Sequence, residues 1–301
     1  MSGILYIPPG PAPNWWLSPA IWVTETTPPY SIVGSPVAGK TYNVQVQVEN
    51  PYPESVSGGW SLLVFWSVPI VGGFPLAYSA SPPSPLQSEN ILNGQLKGGY
   101  WQGLPITQTV PGPGSVTIQA ATSWTPQYEN GGHECLVAFA YLEQATGLPL
   151  TTVQGNDPWT QVSTVGQHNL GVLAATHMRH FSYPFRVSNA LAESHAFDIA
   201  AQIAPLSSIA SFLPNLPGGR SILDQAGKVE HLGLIEGDGK SADHHGRSAT
   251  LAGVHVPRGS HRTFSLVGTL PHGNALVNIT QSLDGRVVGG LSVLLMGERK
   301  A

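Results

Sequence analysis

From Tyr42 to Glu49 the side chains alternate without a break: Tyr42, Val44, Val46 and Val48 against Asn43, Gln45, Gln47 and Glu49. A period of two cannot form one face of a helix, so this stretch must be a half-buried strand, apolar on one side and polar on the other. The turn-rich NPYPESVSGG follows, and then GWSLLVFWSVP, an apolar run short enough to be a strand covered on both faces. The same strand, loop, strand order returns in SVTIQAATSWTP (115–126), QYENGG and HECLVAFAYLE (133–143). Strands at such spacings, separated by Pro and Gly, predict an antiparallel sandwich.

Composition points the same way. Gly and Pro supply 35 and 27 of the 301 residues, and both are penalised inside helices. Charged residues are 10% of the chain, against roughly 25% in an average soluble protein. Aromatic and β-branched residues are plentiful enough to argue against disorder. The length suits two domains of roughly 100 to 170 residues. Chemistry also changes along the chain: up to residue 170 there are two basic and eight acidic side chains, and beyond it eleven basic, nine acidic and nine of the eleven His. The expected domains are therefore 1–175, opened by an aromatic segment, and 176–301, rich in His. Neither half clusters Lys and Arg as a nucleic-acid surface would. The lone Cys135 cannot form an internal disulfide and is expected as a core thiol. The opening MSGILYIPPGPAP lacks a basic signal-peptide region, and no apolar run approaches the length of a membrane span. The default expectation is the cytoplasm, although a non-classical export route would leave the same sequence.

QVSTVGQHNLGVLAA (161–175) reads as a last strand running toward a linker near 174–180. Further strands follow in FSYPFRVSNAL (181–191), HAFDIAAQIAP (195–205), HRTFSLVGTLP (261–271), ALVNITQSLDG (275–285) and RVVGGLSVLLMG (286–297). One short helix is expected at Leu206 to Leu213. Asp284-Gly285, between two apolar runs, reads as a hairpin turn. The fold class is thus all-β, two Ig-like antiparallel β-sandwich domains in tandem.

The segments LYIPPGPAP, WWLSPAIWV, TYNVQVQVENPYP, TSWTPQYENGGHECLVAFAY and GQHNLGVL together resemble the bacterial Ig-like domains of the CARDB type, over residues 4–173. That resemblance rests on a V-x-V-x-V-x-N strand before a loop and on an opening Trp-x-Ser-Pro-x-Ile-Trp stretch. Such domains are accessory modules of adhesion or surface proteins and proteases, which implies a binding or spacing role. Three tryptophans in NWWLSPAIWV (14–23) either fasten the terminal segment to a core or form a platform for a ligand. The expectation is a fastener, with Trp16 and Trp22 as its anchors.

Catalytic motifs are sparse. No G-x-S-x-G elbow occurs. GLIEGDGKS (233–241) ends in Gly-Lys-Ser, but Leu234 stands where a phosphate loop needs Gly, so an exposed loop is expected. His177 and His180 could converge with Asp243, His244 and His245 on Zn²⁺ or another divalent ion, whose bound water would supply a nucleophile. Their spacing matches neither H-E-x-x-H nor a compact H-x-H-x-D-H run, and His is also an ordinary polar surface residue. Glu236, Asp238 and Asp243 offer oxygens for Ca²⁺ without the bidentate acid of a calcium loop. Trp60, Leu62, Val64 and Trp66 share one strand face and read as core. Tyr100 and Trp101, set between glycines, are the better candidates for stacking on a sugar.

The leading expectation is a non-enzymatic structural or interaction protein that engages a protein partner or itself. It has neither nucleic-acid partner nor membrane span, and requires no cofactor. The alternatives are a hydrolase using a divalent metal such as Zn²⁺ or Ca²⁺ in the His-rich domain, and a carbohydrate-binding module using Tyr100 and Trp101.

Overall fold

A computed structural model describes residues 5–12, 14–34, 36–67, 70–71, 88–97, 100–127, 134–142, 165–168, 170–174, 180–189, 193–216, 218–237, 241–244 and 248–297. The chain is all-β, with each of two compact units built as a two-sheet sandwich. The first unit comprises Met1–Ser67, Pro75–Pro126 and Cys135–His168; the second comprises Val68–Phe74, Gln127–Glu134 and Asn169–Ala301. Beside the expected division at 175, the chain path is more interlaced. Two short segments from the first half of the sequence belong to the second unit.

Strands are numbered in chain order. In the first unit, β1 (Ile21–Glu25), β2 (Ile32–Val33), β3 (Tyr42–Asn50) and β10 (Gly114–Gln119) form an antiparallel sheet in the order β10-β3-β1-β2. The facing sheet runs β12-β11-β4-β6, from β4 (Trp60–Ser67), β6 (Ile91–Asn93), β11 (Cys135–Leu142) and β12 (Val165–His168), with β9 (Leu104–Pro105) also on β4. Between them lies one core: Ile21, Val23, Tyr42, Val44, Val46 and Val48 from one side, Trp60, Leu62, Val64, Trp66, Leu136, Ala138 and Ala140 from the other. Tyr42, Val44, Val46 and Val48 are the inward positions that the period-two pattern selected, and Trp60, Leu62, Val64 and Trp66 lie in the core as their shared strand face predicts. Strand β4 is buried from Trp60 to Trp66 on both of its faces, as its unbroken apolar run predicts. Phe65 stacks on Phe139 across from that core face, with centroids 5.9 Å apart. Cys135 is a fully buried free thiol.

The N-terminal segment is tied down as a strand-like edge. Tyr6 exchanges two backbone hydrogen bonds with Glu49, at 3.0 and 2.8 Å, and its neighbours Leu5 and Ile7 are fully buried in the core. The chain then folds back tightly. Ser18 Oγ donates to the Pro8 carbonyl (2.5 Å), and a Cβ at Gly10 would collide with the backbone carbonyls of Asn14 and Leu17, so only glycine fits. Trp16 is buried, as an anchor must be, and meets Trp15 edge-on. Trp22 is not an anchor: it alternates with the core residues Ile21 and Val23, and so projects from the outer face of β1, half-buried.

In the second unit, β14 (His180–Ser188), β16 (His231–Glu236), β17 (Ser241–His244), β19 (His261–Thr269) and β5 (Ile70–Val71) form a sheet ordered β17-β16-β19-β14-β5. The other sheet is ordered β13-β21-β20-β15-β18, from β13 (Leu170–Ala174), β15 (His195–Ala204), β18 (Ser248–Val256), β20 (Asn274–Leu283) and β21 (Arg286–Met296). Phe181, Tyr183, Phe185, Phe264 and Leu266 meet Phe197, Ile199, Val277, Ile279, Leu291 and Val293 in the core. Pairing is antiparallel except at two outer strands. β13 runs parallel to β21, and β5 runs parallel to β14, with Val71 opposite Val187 and fully buried in the core.

Several local expectations change here. Residues 165–174 are two strands in different sheets rather than one. The expected helix at 206–213 is a pair of 3₁₀ turns, Leu206–Ile209 and Leu213–Asn215, the second of which contains Pro214, which has no N–H to continue an α-helix. Gly233–Glu236 is strand, not exposed loop, and Glu236 is buried. Asp284 and Gly285 have φ of 51° and 74°, the left-handed pair that a tight hairpin requires.

Candidate functional site

The outward face of the first unit's β10-β3-β1-β2 sheet carries an unusual set of side chains. Strand register sets Trp22, Gln45 and Gln119 in one row across β1, β3 and β10. The next row on that face is Ile32, Thr24 and Asn43; on the other side lies Gln47 with Thr117, and beyond it Glu49 with Ser115. Gln45 Nε2 donates to Gln119 Oε1 (3.0 Å), leaving the Gln45 side-chain carbonyl and the Gln119 amide N–H groups without a side-chain partner among the described residues. Gln47 Nε2 donates to Glu49 Oε1 (2.8 Å), and the Tyr6 hydroxyl donates to Glu49 Oε2 (2.6 Å). That bond to a carboxylate, with burial adding to it, holds the Tyr6 phenol above its usual range.

This face is neutral in its middle. Its one carboxylate, Glu49, is occupied at one end, while Lys40 pairs with Glu25 (2.8 Å) at the opposite end of the strands. Gln119, Thr117, Ser115 and Ile32 are exposed; Gln45, Gln47 and Trp22 are half-buried. Thr24 is only 6% exposed, and its Oγ1 is buried without a hydrogen-bond partner, between Trp22 and Ile32 on this face. Asn43 is buried beside it but satisfied, accepting from Ser123 Oγ (3.0 Å). The alternation of residues 42–49 contained this signal; what hid it was that its polar members, apart from Glu49, carry no charge.

The His-rich sheet is less convergent. His180 opens β14 and pairs with Thr269, which pairs on its other side with His231, so the two His share one row. Thr269 Oγ1 and His180 Nδ1 lie 3.1 Å apart. In backbone register Asp243 and His244 of β17 pair with Gly233 and Leu232 of β16. Two strands, β16 and β19, lie between β17 and the row position of His180 on β14. Among the described residues no three His, Cys, Asp or Glu side chains are grouped to hold a metal ion. His177 and His245 lie outside the described residues.

Glu236 is buried and forms an ion pair with the partly exposed Arg262. Asp238 lies outside the described residues. Nearby, burial and then the Arg186 guanidinium hold His261 below the ordinary imidazole range. Tyr100 and Trp101 belong to β8 (Tyr100–Gln102), paired with β7 (Gln95–Lys97) in a separate two-stranded ribbon; their side chains lie outside the described part of the chain.

No helix of the described residues is long and apolar enough to cross a membrane. No family model matches the chain, and no curated protein matches it. Among solved structures, the C-terminal domain of the antigen I/II-family protein AspA from Streptococcus pyogenes aligns over 91% of this chain and 98% of that one, at 9% identity and a TM-score of 0.22. The C-terminal domain of the Streptococcus agalactiae antigen I/II polypeptide BspA aligns over 92% and 99%, at 8% identity and 0.22. A mutant of the enterotoxigenic E. coli adhesin CfaE aligns over 100% and 94%, at 8% identity and 0.24.

Proposed function

We propose that the chain is a non-enzymatic structural or interaction protein, in which two β-sandwiches present surfaces rather than reacting groups. The observation that carries this reading is the neutral outer face of the β10-β3-β1-β2 sheet. Hydrogen-bonding side chains without charge can be desolvated against another molecule at far lower cost than ions, so a partner can cover them. The CARDB-type likeness of residues 4–173 belongs to the same proposal, since modules of that kind bind or space. Among the described residues strand β10 has only β3 as a neighbour, and it offers exposed Ser115 and Thr117 at the rim of the face.

Sedimentation of the full chain over a wide concentration range tests the reading. The expected result is reversible self-association, weakened when Ser115→Arg and Thr117→Arg place two like charges on the rim. A strict monomer that binds nothing through this face removes it. A second reading, a divalent-metal hydrolase, draws on the shared row of His180 and His231. Stoichiometric metal in untagged protein, lost together with hydrolysis in His180→Ala plus His231→Ala, would favour that reading instead.

A further inference from the structure

The Trp22 face also has the chemistry of one particular ligand, and we propose that it binds a neutral polysaccharide lying across β1, β3 and β10. The inference rests on the interaction reading above and names a ligand for it. An indole projecting half-buried from a flat sheet can stack on the apolar C–H face of a sugar ring. Among the described residues nothing accepts the Trp22 indole N–H, which stays free for a hydroxyl. Beside it, in register, Gln45 offers a side-chain carbonyl and Gln119 an amide N–H₂ without side-chain partners among the described residues. Thr117 and Gln47 extend the same set of neutral donors and acceptors by one row.

Charge decides the class of ligand. A phosphate backbone or an acidic polymer needs Lys or Arg, and none stands on these rows. An apolar chain would strand the amides of Gln45, Gln47 and Gln119 without partners. A polyol satisfies both requirements, because each hydroxyl donates and accepts while each ring keeps an apolar face. Thr24 supplies an independent pointer: its Oγ1 is buried and unpaired on this face, next to Trp22 in the β1 alternation. A hydroxyl kept there without a partner is unfavourable in the free protein, and it becomes satisfied if a ligand hydroxyl enters between Trp22 and Ile32. From β1 across β3 to β10 the Trp22 row spans about 10 Å, room for roughly two sugar rings.

The test is affinity electrophoresis of the full chain through gels containing a soluble glucan, galactomannan or xyloglucan, with heparin and polygalacturonate as charged controls. At least one neutral polymer should retard the wild type, and the charged polymers should not. Trp22→Ala should weaken the retardation about fivefold to tenfold, while Trp22→Phe keeps most of it. Thr24→Val should weaken it while raising the melting temperature. If Trp22→Ala fails to fold, Gln45→Ala with Gln119→Ala decides, because both side chains point away from the core. The proposal is overturned by no retardation in any neutral polymer, by equal retardation in heparin, or by retardation that survives these substitutions and disappears in Trp101→Ala. None of these failures touches the interaction reading, which sedimentation decides without any polysaccharide present.

Discussion

In the first unit the core is closed by indoles, Trp60, Trp66 and Trp124 beside Tyr42, whereas in the second it is closed by Phe181, Phe185, Phe197 and Phe264 beside Tyr183. All eight tryptophans fall within the residues of the first unit. The outward positions differ more. The first unit's outer sheet face carries glutamines, threonines and one indole; the second unit's strands carry His180, Arg186, His231, His255, His261 and Arg262. Two-sheet packing tolerates either ring chemistry inside, so long as inward positions alternate and fill the space. What distinguishes the units chemically is written on the alternate residues that the core does not use.

The sharpest way to break this comparison is Arg262→Met. It strands Glu236 as a buried charge and should destabilise the second unit by about 3–5 kcal/mol, whereas Arg262→Met with Glu236→Leu should recover most of the loss. Urea unfolding followed by far-UV circular dichroism reads both units, and tryptophan emission reads the first alone. A loss visible equally in the emission would mean that the two respond as one.

Val71→Ala comes next, at about 1–3 kcal/mol. Although Val71 lies among first-half residues, its side chain fills the second core, so hydrogen exchange should accelerate in β14 and β19 and leave β3 unchanged. Exchange that quickened in β3 instead would assign the residue to the other unit. Thr24→Val should act with opposite sign on the first unit, stabilising it by about 1 kcal/mol as an unpaired buried hydroxyl is removed. A destabilisation would mean that the hydroxyl is satisfied.

The smallest expected effect is that of His261→Gln on pH dependence. A His whose folded pKa is depressed takes up its proton more readily when unfolded, so its contribution is present above the unfolded value of about 6.5 and fades as pH falls through it. Removing the imidazole should flatten the acid limb of the stability curve. The change should be no more than a few tenths of a kcal/mol, since the ring is largely solvent-exposed. Melting temperatures between pH 7 and 5 in both proteins measure it.

Much of this architecture was legible in strand periodicity. The alternation at 42–49, the unbroken run in β4 and the Asp284-Gly285 turn each name their own local structure, because a pleat and a tight turn are set by adjacent residues. Pairings between distant segments were not legible. Nothing in Ile70–Val71 says that these residues join β14, and nothing in 165–174 marks where one sheet is left for another. The Trp22 face was half-legible: the polar set on β3 stood out, but which of three clustered tryptophans joined it depended on a register that only the fold specifies. Histidine abundance drew attention to the second half, yet the strand order that sets two strands between β17 and β14 could not be read from the sequence.

The seat of β5 has a consequence for how the chain is made. Val71 and its partner Val187 are separated by 116 positions (187 − 71). At ordinary synthesis rates the ribosome needs roughly 6 to 23 seconds to cover that interval. Throughout it the Ile70–Val71 segment is an apolar stretch awaiting its mate, and afterwards a closure of that contour length must be completed in one step. Refolding of the second sandwich should therefore lag that of the first, and a nascent-chain binder that recognises short aliphatic stretches would find its opening there.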